Sequence, residues 1–356
     1  MRPVYNFSAG PAMLPESVLL KIQDELLSYQ GSNVSMLEVN HRSSEFFGII
    51  DHAKATLKEL MNIPDTYSIV FLQGGTSQQF AMIPMNFAKG RRVAYVDTGF
   101  WSAKAIEEAL ILNDTLVVGS SKEDGYSYLP MDLNVPEDCA YVHITTNATS
   151  EGLMYRNLPD TNGVPLIGDA CSNILGFPYD INDFAMLYAG TQKNLGMSGL
   201  TLAIIRNDML HDVEGLPYIF DYKKHIQENS VYNTSPTFAI YVTDLMLTWV
   251  KEQGGVEALS QQNERKAAML YELIDRSGFY SNWVKPSDRS SMNVVFTTND
   301  ETLDTLFVEE AALEGMINLG AHRSSRGMRV SIYNAMPVEA VEKLVDFMNR
   351  FQEKYQ

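Results

Sequence analysis

The sequence predicts an α/β protein, with a large, mostly parallel sheet covered by helices and a smaller α+β domain toward the C-terminal end. Three observations predict it. Short apolar, β-branched runs alternate with helical periodicities from about residue 65 to 210, the pattern of strands joined by covering helices. At 356 residues the chain is too long for one compact core. Past Gly254-Gly255 the alternation gives way to a different order of elements.

Taken in order, residues 36–39 read as strand-like and residues 46–60 as helical. Residues 67–72 are apolar and β-branched, Gly74-Gly75 breaks them, and residues 76–88 carry helical spacing. A strand is expected at 92–96, followed by a helix at 100–112. Further strands are expected at 115–118, 141–146, 164–169, 184–189 and 200–206. Two long helical patterns, 236–251 and 255–277, meet at Gly254-Gly255, the expected domain boundary. Beyond it, 292–297 and 328–333 read as strands, and 301–314 and 337–352 as helices.

Composition narrows the function. Hydrophobic residues make up 45% and charged residues 20%, ordinary for a globular enzyme. A formal net charge of -17 argues against nucleic acid, whose phosphates need a basic face. The two cysteines, Cys139 and Cys171, sit in or beside apolar strands and support neither a disulfide framework nor a zinc site. No apolar run approaches the ~18 residues that span a bilayer, and the N-terminus has no apolar signal core. A cytoplasmic enzyme is the expectation.

Lys193 carries the sharpest chemical signal. It follows the apolar run 184–189 and precedes Gly196, Gly199 and the apolar run 200–205, so it is expected at a tight turn between two buried strands. Desolvation favours a neutral amine, which can form an imine with a carbonyl cofactor. Upstream, Pro165-Leu-Ile-Gly-Asp169 ends another strand on a carboxylate. A strand-end aspartate and a later turn lysine are what a pyridoxal phosphate (PLP) site requires.

Other groups fit an anionic ligand. Gln73-Gly-Gly-Thr-Ser-Gln-Gln79 lies between a strand and a helix, where glycines, Thr76, Ser77 and free amides could meet a monophosphate. An ordinary glycine turn with a Thr or Ser cap would read the same. Trp101 follows Asp97-Thr-Gly99 at a strand end, either stacked on a cofactor ring or packed in the core. Asn147-Ala-Thr149-Ser-Glu-Gly152 also follows a strand, where its hydroxyl and amide groups could reach a cofactor or simply form a turn. Two cationic knots stand out in an acidic chain: His41-Arg42, and His322-Arg323-Ser-Ser-Arg326-Gly-Met-Arg329. Arginine forks match carboxylates and phosphates.

The chain resembles the phosphoserine aminotransferase family, of class V and fold-type I among PLP enzymes. The resemblance rests on Asn6-Phe-Ser-Ala-Gly-Pro11, Glu38-Val-Asn-His-Arg42, Gly168-Asp-Ala-Cys-Ser172 and Tyr188-Ala-Gly-Thr-Gln-Lys-Asn-Leu-Gly196. It continues through Tyr232-Asn-Thr-Ser-Pro-Thr-Phe238 and Met328-Arg-Val-Ser-Ile-Tyr-Asn-Ala-Met-Pro337. It implies a large PLP-binding domain of residues 16–254 and a small domain of residues 1–15 and 255–356. By the same resemblance Lys193 is the imine lysine, Asp169 pairs with the pyridine nitrogen, Trp101 stacks on the ring, and Thr149 and Gln192 lie beside it. Thr76 and Ser77 hold the cofactor phosphate, joined by Asn233 and Thr234 of a partner subunit, which implies a homodimer with shared sites. Ser8, His41, Arg42, His322, Arg323 and Arg329 are implied in substrate binding, Arg329 at the α-carboxylate and the knots at the phosphate. The implied substrates are glutamate and 3-phosphooxypyruvate, with a four-carbon analogue of vitamin B6 synthesis also accepted by the family. Some bacterial relatives carry arginine where this chain has Ser77 and glycine where it has Arg326. A cysteine desulfurase would need a late reactive cysteine, and none follows Cys171. An alanine–glyoxylate transaminase would have no use for two cationic knots, and a non-catalytic anion-binding protein would not need Lys193 and Asp169 at successive strand ends.

Overall fold

The computed structural model describes residues 4–321 and 327–356. Seven strands, numbered here along the chain, form the main sheet: β1 (Tyr67–Gln73), β2 (Val93–Asp97), β3 (Thr115–Ser120), β4 (Val142–Thr145), β5 (Leu166–Asp169), β6 (Met186–Gly190) and β7 (Leu200–Arg206). Their spatial order is β1-β7-β6-β5-β4-β2-β3. β7 alone runs antiparallel to its two neighbours, and the other pairings are parallel.

Side chains alternate between the faces of each strand, and both faces are apolar. Ile69 and Phe71 of β1 pack into one core cluster, while Val70 and Leu72 pack into another. Leu187 and Tyr188 of β6 divide in the same way. Burial on both sides accounts for the near-continuous apolar runs in the sequence. A third cluster, built from Phe7 and residues between Ala267 and Phe351, is centred on Phe307, whose ring lies 5.0–5.6 Å from those of Phe347, Phe351 and Phe296. Here Asn293–Phe296 pairs antiparallel with Met328–Ser331, and Tyr5–Asn6 pairs parallel with Met316–Ile317.

Most helices fall where their spacing predicts them, including Ser77–Phe87, Phe100–Leu112, Thr237–Glu252, Gly255–Ser277, Glu301–Leu313 and Val338–Tyr355. Ser44–Met61 is capped by the Ser43 hydroxyl, which accepts from Phe46 N–H, and closes on left-handed Asn62. One expectation fails: residues 36–39 form a turn, not a strand. The Ser35 hydroxyl accepts from Leu37 N–H, Ser35 N–H donates to the Glu38 carboxylate, and Glu38 N–H donates to Ser35 C=O. These local bonds compete with a sheet ladder and win. Among the described residues, no helix is long and apolar enough to cross a membrane. Nor do three or more His, Cys, Asp or Glu residues there form a group that could hold a metal ion.

Candidate active site

The site forms at the carboxyl edge of the parallel strands, where crossing loops leave a crevice. β5 delivers Asp169 to that edge, flanked by Thr145 at the end of β4 and Tyr188 of β6. Lys193 sits in the turn between β6 and β7, which is pinned by Thr191 N–H donating to Leu200 C=O at 3.0 Å and by the Thr191 hydroxyl. The lysine is 8% exposed. Its Nζ donates to Thr149 Oγ1 at 2.7 Å.

One cavity is lined by Thr76, Trp101, Thr149, Asp169, Gln192 and Lys193, with Phe80, Thr145, Asn147, Cys171 and Ser172 completing the wall. Burial pushes the Asp169 carboxyl above its ordinary range. The Cys171 thiol and N–H, the Lys193 charge and the Tyr188 hydroxyl pull the other way. The Cys171 N–H bond to Oδ1 is 2.9 Å long. Behind Tyr188, whose hydroxyl lies 2.8 Å from His143 Nε2, the imidazole is held neutral, lowered by burial to about 3.

The N-terminal segment runs over the lysine turn. Ala12 N–H donates to Gln192 C=O at 2.8 Å, and Gly10 lies where a Cβ would stand 3.4 Å from Gln192 Cγ. Ser8 turns this segment, its hydroxyl accepting from Gly10 N–H at 3.2 Å. The C-terminal part reaches the same turn through Asn334, whose N–H donates to Asn194 Oδ1 at 3.1 Å. Lys266 holds that loop from below, donating to the carbonyls of Ile332, Tyr333 and Met336 at 2.8–3.0 Å.

Other expected site residues lie away from the cavity wall in their own chain. Ser77 is exposed at the start of its helix, and Thr234 is exposed. Asn233 donates to Gln73 Oε1 at 2.6 Å. His41 and Arg42 touch each other, Arg42 Nε to His41 Nε2 at 3.3 Å. Arg329 lies on Met328–Ser331 opposite Val295, and burial lowers its pKa. His322, Arg323 and Arg326 lie outside the described residues.

In the loop after β4 the sequence points to the hydroxyl and amide groups, and its reading misses the carboxylate of Glu151. Asn147 donates to Ser172 Oγ and Asn293 Oδ1, both at 2.8 Å, tying the wall beside Asp169 to the Asn293–Phe296 strand. Glu151 is 9% exposed and accepts from Phe100 N–H at 2.9 Å. Nothing in the sequence around Glu151 signals that its carboxylate is buried.

The model of the class-V aminotransferases matches residues 4–344. A phosphoserine aminotransferase of Listeria monocytogenes is 51% identical, covering 99% of this chain and 97% of its own. That of Geobacillus kaustophilus is 49% identical over 100% of both. Among solved structures, phosphoserine aminotransferase from Bacillus circulans subsp. alkalophilus superposes with a TM-score of 0.97 at 43% identity, covering 99% of each chain. The chain belongs to the phosphoserine aminotransferase family of class-V aminotransferases.

Within this class-V aminotransferase the residues of the cavity suit a flat, anionic, carbonyl-bearing cofactor. They supply a buried amine, a buried carboxylate, an indole and, in Thr76, the cap residue of a helix start. Thr145 Oγ1 in the wall has no hydrogen-bond partner. The Thr76 side chain makes no bond to its own helix, which leaves its hydroxyl available to a ligand.

Proposed function

We propose that this enzyme is a PLP-dependent transaminase that moves an amino group reversibly between glutamate and 3-phosphooxypyruvate, giving 2-oxoglutarate and O-phosphoserine. The observation that carries the reading is that Lys193 and Asp169 line one cavity together with Trp101 and Thr149. A solved phosphoserine aminotransferase structure concerned with that enzyme's Schiff base is 44% identical to this chain with a TM-score of 0.97, which supports the cofactor. PLP, when bound, supplies an electron sink for the charge left at the amino acid's Cα.

The residues supply the rest. Asp169 holds a proton on the ring nitrogen by its charge. Lys193 carries the proton away from Cα and returns it, with Thr149 fixing its amine. Trp101 covers a flat face, and Thr76 and Ser77 receive a phosphate at a helix start. Gln192 stands beside the lysine. Arg329 holds the α-carboxylate, with Ser8 nearby in the N-terminal segment. The cationic knots, including His322 and Arg323, bind the distal phosphate. His41, Arg42, Asn233 and Thr234 act across a dimer interface, in keeping with their absence from the cavity wall of their own chain. We read residues 16–254 as the cofactor-binding domain and residues 1–15 with 255–356 as the smaller one, supported by the separate apolar cluster around Phe307. Two free, buried cysteines suit the reducing cytoplasm.

The test is spectroscopic. The purified holoenzyme should absorb in the visible, and glutamate and phosphoserine should each bleach that band while unphosphorylated serine does so poorly. A colourless protein, or equal bleaching by serine and phosphoserine, would refute the reading.

A further inference from the structure

Glu151 is built into the edge of the site by three separate features. Its Oε1 accepts the N–H of Phe100, the residue before Trp101, at the start of Phe100–Leu112. Gly99 makes room for it: a Cβ there would lie 2.1–2.5 Å from the carboxyl atoms of Glu151. The next residue, Gly152, packs against Val295 so closely that a Cβ would meet Val295 Cγ2 at 2.9 Å, and Val295 is the strand partner of Arg329. Glu151 therefore lies between the helix that carries Trp101 and the strand that carries Arg329. Its second oxygen, Oε2, is buried without a hydrogen-bond partner.

We propose that Glu151 is a positioning residue for carboxylate substrates, serving as the resident counter-charge of Arg329 and giving up that charge when a substrate carboxylate arrives. The proton comes from solvent and forms an O–H bond on the carboxylate, so net charge around Arg329 is conserved through binding. The inference rests on the proposed role of Arg329 in holding the α-carboxylate.

The electrostatic surroundings agree. Burial pushes the Glu151 carboxyl up to about 7, opposed by the N–H groups of Phe100 and Glu151 and by the charge of Arg329. Asp97, at the end of β2, pushes it further up, and Tyr126 donates to both Asp97 oxygens at 3.2 Å. Arg329, Asp97 and Tyr126 are the charged and titratable side chains that interact with Glu151 most directly. A carboxylate poised near neutrality needs only the loss of its cationic partner to take a proton. A ligand carboxylate on Arg329 removes that partner.

The sign of the effect follows. Ionised Glu151 competes with the ligand and neutral Glu151 does not, so ligand affinity falls as pH rises through about 7. Glu151→Gln removes the titration and keeps an oxygen to accept from Phe100 N–H. The probe is glutarate, a dicarboxylate with no amino group, titrated into the holoenzyme between pH 6 and 9. Wild-type affinity should fall toward roughly tenfold per pH unit above the transition, and Glu151→Gln should lack this component and bind more tightly than wild type at high pH. A variant that keeps the wild-type pH dependence, or that loses affinity equally at every pH, overturns the proposal.

Infrared difference spectra of the wild type give a second reading that needs no variant. Adding carboxyl-labelled glutarate near neutral pH should produce a protonated-carboxyl band from the protein, and its absence overturns the proposal as well. Bleaching of the visible band by glutamate and phosphoserine tests the transaminase reading separately. A wild type that bleaches with both while Glu151→Gln keeps the wild-type profile would sink this inference alone.

Discussion

Replacing Gly99 by alanine tests whether the Glu151 carboxylate is held where the structure has it. Two costs combine. The backbone there has φ 145° and ψ −163°, a region nearly reserved for glycine, where a side chain costs about 1–3 kcal/mol. The new Cβ would overlap the carboxylate at 2.1–2.5 Å, so Glu151 must swing away and release Phe100 N–H. A hydrogen bond to a charged acceptor is worth about 1.5–3 kcal/mol. The expected loss is therefore about 2.5–6 kcal/mol. With an unfolding entropy of ~2.1 cal/mol/K per residue, 356 residues give about 0.75 kcal/mol/K, and Tm should drop by about 3–8 °C. Thermal melts of the holoenzyme followed by circular dichroism measure this, and tryptophan fluorescence reports whether Trp101 moves with the helix start. Gly163→Ala is the control: its φ is 76° and nothing lies within 4 Å of the added Cβ, so only about 1–2 kcal/mol of backbone strain is expected. A double-mutant cycle with Glu151→Ala isolates the carboxylate's share. If Gly99→Ala costs as much without Glu151 as with it, the reasoning fails.

Lys193→Ala should abolish turnover without unfolding the chain, and borohydride reduction of the wild type should fix the cofactor to the peptide containing Lys193; labelling of another lysine would overturn the assignment. Asp169→Asn should slow turnover severely, because an amide cannot hold a proton on the ring nitrogen by charge; near-normal turnover of glutamate would remove its assigned role. Mixing inactive Lys193→Ala with inactive Arg42→Ala should restore part of the activity, since one site of each heterodimer would receive both intact groups. No recovery after verified subunit exchange would mean that each site lies within one chain.

The succession of strands and helices is written locally. The alternation that predicts a helix at 100–112 meets Phe100–Leu112, because the periodic burial that shapes a helix is visible in its own residues. Lys193 is legible for the same reason: apolar runs on either side and glycines after it mark a tight turn between buried strands. Residues 36–39 show the limit, since an apolar stretch lost to hydrogen bonds from Ser35 and Glu38 that periodicity does not register. Strand order lies further out of reach. Nothing within Leu200–Arg206 announces that it runs against both neighbours, yet that reversal leaves Lys193 in the turn between β6 and β7. Glu151 and Gly99 are 52 residues apart, and Gly152 meets the strand of Asn293 and Val295 from more than a hundred residues away. The sequence by itself determined the elements, the lysine and the strand-end carboxylate, because burial and turn chemistry act between neighbours. Only the tertiary structure decided that Glu151 meets Gly99 and lies beside the strand pair that carries Arg329, because strand order and the docking of the C-terminal elements choose which distant side chains meet.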